Sequence, residues 1–142
     1  MHKKCLMNLI CWNAIISGYA NCRKSVHALH LVTEMQHCNL LPNETTFVSA
    51  LKACAHILDL DNGMLFHITI LKQGIELDPF IANSLICLYA KCDCVPSTFK
   101  IFEKQMGRSI VSWGTMISGL VGTGHHHEAV TFYVKMNKEE TL

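Results

Sequence analysis

Three short segments carry side chains that could ligate a metal or move protons. His125-His126-His127 sets three imidazoles in a row, and Cys92-Asp93-Cys94 sets two thiols on either side of a carboxylate. Structural zinc needs ligands that converge in space, usually at C-x₂₋₄-C and H-x₃₋₅-H spacing. Three consecutive side chains on a helix instead point about 100° apart. His126-His127-Glu128 matches the H-x-E half of a zinc deaminase signature, whose Glu moves protons for a zinc-held water. The P-C-x-x-C half does not follow, and only fourteen residues remain after Glu128. Paired carboxylates, a phosphate-binding glycine loop and a nucleophile elbow are absent too. The expectation is a chain with no catalytic residue, no metal and no cofactor.

The bulk properties narrow the field further. The chain has 142 residues, half of them apolar, and a formal net charge of +1. That is enough for one domain or a few stacked repeats with a real core. It is a poor electrostatic footprint for a nucleic-acid binder, so any such surface must come from local placement of Lys52, Lys72, Lys91, Lys100, Lys104 and Arg108. Most of these cations read equally well as solvated helix faces. Eight cysteines lie largely within apolar stretches, as Cys54 does in Leu51-Lys52-Ala53-Cys54-Ala55. They are expected to be reduced thiols acting as small core residues. No apolar run approaches the roughly 20 residues that would cross a bilayer, so no membrane partner is expected. Met1-His2-Lys3-Lys4 is not followed by a clean cleavage site, and no Arg/Ser-rich presequence is visible.

The elements that must hold these side chains declare themselves by repetition. Trp12 recurs as Trp113, Ile16-Ser17-Gly18 as Ile117-Ser118-Gly119, Ala28 as Ala129 and Met35 as Met136, each pair 101 positions apart. Two further helical hairpins lie between the copies. One carries Phe47, Leu51, Cys54, Ala55 and Leu58, then Met64, Ile68 and Leu71, and stops at Gly74, a natural helix terminator. The other carries Leu85, Leu88 and Tyr89, then Phe99, Phe102 and Met106, with Pro96 in the first turn of its second helix. Pro42-Asn43, Asp78-Pro79 and the 107–109 segment mark the joins. The Met and aromatic stripe (Met35, Phe99, Phe102, Met106, Phe132, Tyr133, Met136) reads as core. A two-helix unit of about 35 residues cannot bury its own apolar stripe, and a neighbouring unit can.

Ile10-Cys11-Trp12-Asn13-Ala14-Ile15-Ile16-Ser17-Gly18-Tyr19 resembles the opening helix of a plant pentatricopeptide repeat. Leu40-Leu41-Pro42-Asn43-Glu44-Thr45-Thr46-Phe47 resembles the join into that family's long-type repeat. Asn83-Ser84-Leu85-Ile86-Cys87-Leu88-Tyr89-Ala90-Lys91-Cys92 resembles a short-type one. Mixed lengths are similar to the PLS subclass. The resemblance implies an all-α, right-handed α-solenoid of helix–turn–helix repeats. It implies repeats at 9–43, 44–78 and 79–109 and a truncated one at 110–142, with 1–8 the remnant of a preceding repeat. Both ends then look cut from a longer array.

The resemblance also implies a function: sequence-dependent binding of single-stranded RNA, supporting organellar RNA modification or processing. The fifth and last residues of a repeat read one base between them. These would be Asn13 with Asn43, implying cytosine over uracil, and Asn83 with Ser109, implying a weaker pyrimidine preference. A carboxamide has the donor and acceptor that such an edge requires. Ile10, Phe80 and Val111 would flank the bases by apolar contact or stacking. The pairing fails at Val48 with Asp78, since Val48 has no polar group, and at Gly114, which stands where the family has Asn. Implied partners are single-stranded RNA and other RNA-processing proteins, in the mitochondrion more than the plastid. Any editing chemistry would reside in a partner or a missing domain. Two alternatives stay open: a helical-repeat protein-interaction scaffold, and a truncated product without independent function.

Overall fold

The computed structural model describes residues 7–105 and 109–140, and only the backbone of Glu139 and Glu140. Met1 to Leu6, Met106, Gly107 and Arg108 lie outside the described residues, and with them most of the expected remnant and part of the last join. Eight α-helices follow in order: α1 (Leu9–Asn21), α2 (Ser25–His37), α3 (Glu44–Ile57), α4 (Leu60–Gln73), α5 (Pro79–Lys91), α6 (Val95–Lys104), α7 (Ile110–Gly122) and α8 (His126–Glu140). Among the described residues there is no strand. The fold is an all-α solenoid of four helical hairpins.

Each odd-numbered helix starts on a polar N-cap. Asn8, Asn43, Asp78 and Ser109 accept from backbone N–H groups of Cys11, Thr46, Phe80 with Ile81, and Ser112 respectively. Such caps satisfy donors that the helix itself leaves unpaired. Each hairpin then turns on one residue in the left-handed region: Arg23, Leu58, Asp93 and Gly124. Only the last is glycine, so the other three turns bear the strain of an L side chain there. Gly74 ends α4 at φ 70°, where glycine costs nothing.

The odd helices pack in series, α1 on α3, α3 on α5 and α5 on α7. The even helices lie behind them, each against its own partner, and α2 also lies along α3. Trp12, Ile16, Ala20, Ala28, Val32 and Met35 form one core with Ala50 and Ala53 of α3. A second core runs through the remaining hairpins. At its far end Phe102 meets Trp113 edge-on at 4.7 Å between ring centres, and Phe99 stacks on Phe132 at 4.9 Å.

Some apolar side chains fall elsewhere than expected. Met64, Ile68 and Leu71 of α4 are exposed, while Gly63, Phe66 and Ile70 face inward. Gly63 brings α4 against the Leu88 side chain, and this contact, not the longest apolar stripe, sets the helix's rotation. Leu58 and Tyr133 are exposed as well, and Met106 lies outside the described residues. Burial pushes the Cys54 thiol up to about 12, so it stays a neutral core group. Cys11, Cys22, Cys54, Cys87, Cys92 and Cys94 are free thiols, but Cys38 is disulfide-bonded, so the reading as reduced thiols does not hold for that residue.

Two glycines at equivalent places separate packing from propensity. A Cβ built on Gly119 would lie 2.7 Å from the Ala90 Cβ, whereas one on Gly18 meets nothing within 4 Å. Gly119→Leu should therefore lose about 1–3 kcal/mol by overpacking α5 against α7. Gly18→Ala should gain about 0.5–1 kcal/mol from helix propensity alone. Urea unfolding midpoints measure both, and equal effects would contradict this account of the packing.

Candidate functional site

The serial packing of odd helices lines up their exposed strips along one face. There, Val48, Lys52 and His56 of α3, Phe80, Asn83, Ser84, Cys87 and Lys91 of α5, and Val111 and Thr115 of α7 enclose a groove of about 400 Å³. Asn83 is half-buried in it, and its Oδ1 is buried with no hydrogen-bond partner. Buried polar atoms are paired in the great majority of cases, so an unpaired carbonyl facing a groove is a place for a ligand's donor. Phe80 and Val111 stand exposed on either side.

Asn13 has a different setting. It is only 7% exposed. Its Nδ2 donates to Asn43 Oδ1 at 2.9 Å, and its Oδ1 accepts from Thr46 Oγ1 at 2.5 Å. Asn43 and Thr46 close a capping box, with the Asn43 N–H donating to Thr46 Oγ1 and the Thr46 N–H to Asn43 Oδ1. Asn13 and Asn43 are thus brought together across the join of α1 and α3. One N–H and one lone pair of the Asn13 amide remain unused in this network. Asn83 and Ser109 are not joined in this way. Ser109 Oγ instead caps α7 and lies 3.4 Å from Ser112 Oγ. Ile10 is exposed on α1. Asp78 is spent as a cap, and Gly114 leaves open space.

Positive charge gathers at one end of the groove. Burial lowers the His56 pKa first, and Lys91, Arg23 and Lys52 lower it further. Lys52 Nζ also donates to Asn21 Oδ1 at 2.6 Å. Lys100 and Lys104 do not share this surface. They line a separate crevice with His67, Glu76 and Tyr89, between α4, α5 and α6. Lys72 is exposed on α4, and Arg108 lies outside the described residues. The near-neutral composition therefore conceals a local cluster, which only the packing of three hairpins assembles.

Of the three consecutive histidines, His125 has a structural partner. His125 Nε2 and Asp93 Oδ1 meet at 2.5 Å, tying the third hairpin's turn to the fourth's, and His126 and His127 are exposed. Among the described residues no three His, Cys, Asp or Glu side chains gather where a metal could sit. No helix among them is long and apolar enough to cross a membrane. The role of Thr46 was missed in the sequence. A cue was present, since a polar residue three positions after an Asn cap is the position a capping box uses.

A groove lined by the first helices of successive hairpins, one strip per repeat, defines a helical-repeat binding protein. Family models agree: the PPR repeat family matches residues 7–56, and the PPR repeat matches residues 111–140. Three pentatricopeptide repeat-containing proteins of Arabidopsis thaliana show the same kinship. One is 32% identical over 93% of this chain and 16% of its own length. A second, named mitochondrial, is 33% identical over 93% of this chain and 21% of its own. A third, also named mitochondrial, is 30% identical over 95% and 24% respectively. The chain belongs to the pentatricopeptide repeat family, and it spans about a fifth of the length of these relatives.

Two measurements test the site's construction. Asn8→Ala should cost about 0.5–2 kcal/mol, the loss of a cap. Asn43→Ala should cost more, because it removes a cap and also strands the buried Asn13 Nδ2, at about 1–3 kcal/mol for the group left unpaired. Equal losses in urea unfolding would mean that the network carries no weight. The second measurement concerns pH. His67 is lowered by burial, then by Lys104, against an opposing pull from Glu76, and its Nδ1 lies 2.7 Å from the Tyr89 hydroxyl. Below the ordinary histidine value of about 6.5 the unfolded chain binds protons that the folded chain refuses. Stability should thus be whole above that pH and fall as pH drops through the lowered values of His56 and His67. His67→Gln should flatten that fall, as read from urea midpoints between neutral and mildly acidic pH.

Proposed function

We propose that the chain binds single-stranded RNA along the groove of α3, α5 and α7 and its continuation on α1. The observation that carries this reading is the unpartnered Asn83 Oδ1, set between exposed Phe80 and Val111 with Lys52 and Lys91 beside it. An unpaired base offers a flat apolar face and a hydrogen-bonding edge, and its phosphate offers a negative charge. Phe80 and Val111 meet the face, the Asn83 amide meets the edge, and the cations meet the backbone.

In this reading each repeat is one reading unit, with bounds at 9–43, 44–78, 79–109 and 110 onward. The helix starts at Leu9, Glu44, Pro79 and Ile110 support those bounds. Asn83 reads a pyrimidine, with Ser109 shaping the same position weakly. Asn13 reads through its unused N–H and lone pair, held in place by Asn43, with Ile10 beside the base. The repeats of Val48 and Gly114 let their bases pass unread. The mixed repeat lengths are those of the PLS subclass. The chain acts as a binding module in RNA modification or processing, any chemistry being supplied by a partner or another domain. The names of two relatives favour a mitochondrial setting.

Fluorescence anisotropy with short pyrimidine and purine RNAs tests the proposal. Phe80→Ala should weaken binding by about 1–3 kcal/mol. Asn83→Ala should cost about 1 kcal/mol and narrow the gap between pyrimidine and purine oligomers. Lys52→Ala and Lys91→Ala should each reduce the salt slope by about 0.7 while leaving base preference alone. Absence of binding, or binding unchanged in the Asn13→Ala, Asn83→Ala double variant, would sink the reading.

A further inference from the structure

Thr46, at the join of α1 and α3, has no exposed surface, so no ligand can touch it. Its Oγ1 accepts from the Asn43 N–H at 3.1 Å and has one hydrogen of its own to give. Two carbonyl oxygens are within reach, Asn13 Oδ1 at 2.5 Å and Asn43 Oδ1 at 3.0 Å. Asn43 Oδ1 already accepts from the Thr46 N–H at 3.2 Å and from Asn13 Nδ2 at 2.9 Å, which occupies its two lone pairs. The hydroxyl hydrogen therefore goes to Asn13 Oδ1.

Two backbone N–H groups set the direction of this chain of bonds, because they donate and cannot accept. They make acceptors of Asn43 Oδ1 and Thr46 Oγ1, and Asn13 must meet the first of these with its nitrogen. Turned over, the Asn13 amide would set two carbonyl oxygens 2.9 Å apart with no hydrogen between them. The Asn43 contact thus decides which end of the amide is which, and the Thr46 bond at the other end fixes its plane. One anchor leaves an amide free to swing, and two hold it. The Asn83 repeat has no such clamp. Ser112 follows Ser109 by three positions as Thr46 follows Asn43. Its Oγ lies 3.4 Å from Ser109 Oγ, and Asn83 Oδ1 has no partner.

We propose that Thr46 is a positioning residue for base selection by the first repeat. Its hydroxyl holds the Asn13 amide in one orientation, so the remaining N–H and lone pair of that amide meet a base edge in one order only. The inference rests on the RNA reading given above and adds to it a determinant that touches no RNA. A held amide discriminates better than a loose one, because a loose one turns to suit either edge. The first repeat therefore separates pyrimidine from purine more sharply than the Asn83 repeat does. A residue of the second hairpin sets the selectivity of the first.

Thr46→Val keeps the branched shape and removes the hydroxyl, while the N–H of residue 46 still serves the Asn43 cap. The test uses the Asn83→Ala chain, in which the Asn13 repeat is the remaining reader, and fluorescence anisotropy with oligo(C) and oligo(A) RNAs of equal length. Adding Thr46→Val should bring the ratio of the two dissociation constants about fivefold closer to one, the size of one hydrogen bond. Thr46→Ser should restore the ratio. Neither should move the salt slope, which the cations set. A ratio unchanged by Thr46→Val overturns the inference. So does a ratio that Thr46→Ser fails to restore, since the methyl group is then what matters. Binding of neither RNA by the wild-type chain is a different failure, that of the RNA reading, and takes the inference with it. A second readout needs no RNA. By NMR, the Asn13 side-chain amide protons should exchange with solvent more slowly than those of Asn83, and Thr46→Val should quicken Asn13 alone. Equal rates in the wild-type chain overturn the clamp, even where Thr46→Val unfolds.

Discussion

Close approach of successive odd helices is the constraint on which the rest of the structure hangs. A hairpin of two helices has one apolar stripe more than it can cover, so the next hairpin must come near enough to cover it. Small side chains make that possible. Ala50 and Ala53 let α3 reach the core beneath Trp12, and Gly119 lets α7 reach Ala90. Once the odd helices are this close, their exposed strips merge into a single groove. A side chain five residues into one helix then stands beside the cap of the next.

That adjacency gives the join of α1 and α3 its polar network. Asn43 begins as a helix cap, a local role that its neighbours alone would favour. The capping box already sets Thr46 against Asn43, and tertiary packing brings the Asn13 amide onto both. A cap and a recognition pair are thus not competing readings of Asn43, since the bonds that end one helix also orient the amide of another. At Asn83 the geometry differs, since the Ser109 hydroxyl caps α7 and does not bridge to that amide. The Asn83 Oδ1 is buried and unpaired. One amide is held by its neighbours and the other is open on one side.

Electrostatics follow from assembly in the same way. A net charge of +1 argues against a nucleic-acid surface. Yet Arg23, Lys52 and Lys91 come from three different hairpins and act together on His56. Lys100 and Lys104, equally basic in the sequence, are carried to another face by α6. Charge averaged along a chain and charge gathered on a surface are different quantities.

The amino-acid order by itself determined the hairpins. The 101-residue echo of Trp12, Ile16-Ser17-Gly18, Ala28 and Met35, the caps and prolines at the joins, and the 3.6-residue periodicity are local signals, and local signals place helices. The sequence likewise holds the family kinship, because the repeat motifs are short and contiguous. Tertiary structure alone decided which face of each helix turns inward. The apolar stripe of Met64, Ile68 and Leu71 predicted one rotation of α4, and the contact of Gly63 with Leu88 imposed another. It alone decided that Asn13 is buried and bonded while Asn83 is left waiting, and that Tyr133 is bare where Val32 is covered. The physical reason is common to all three. Burial of a side chain is settled by the neighbour that approaches it, and in a stacked repeat that neighbour lies a whole hairpin away in the chain.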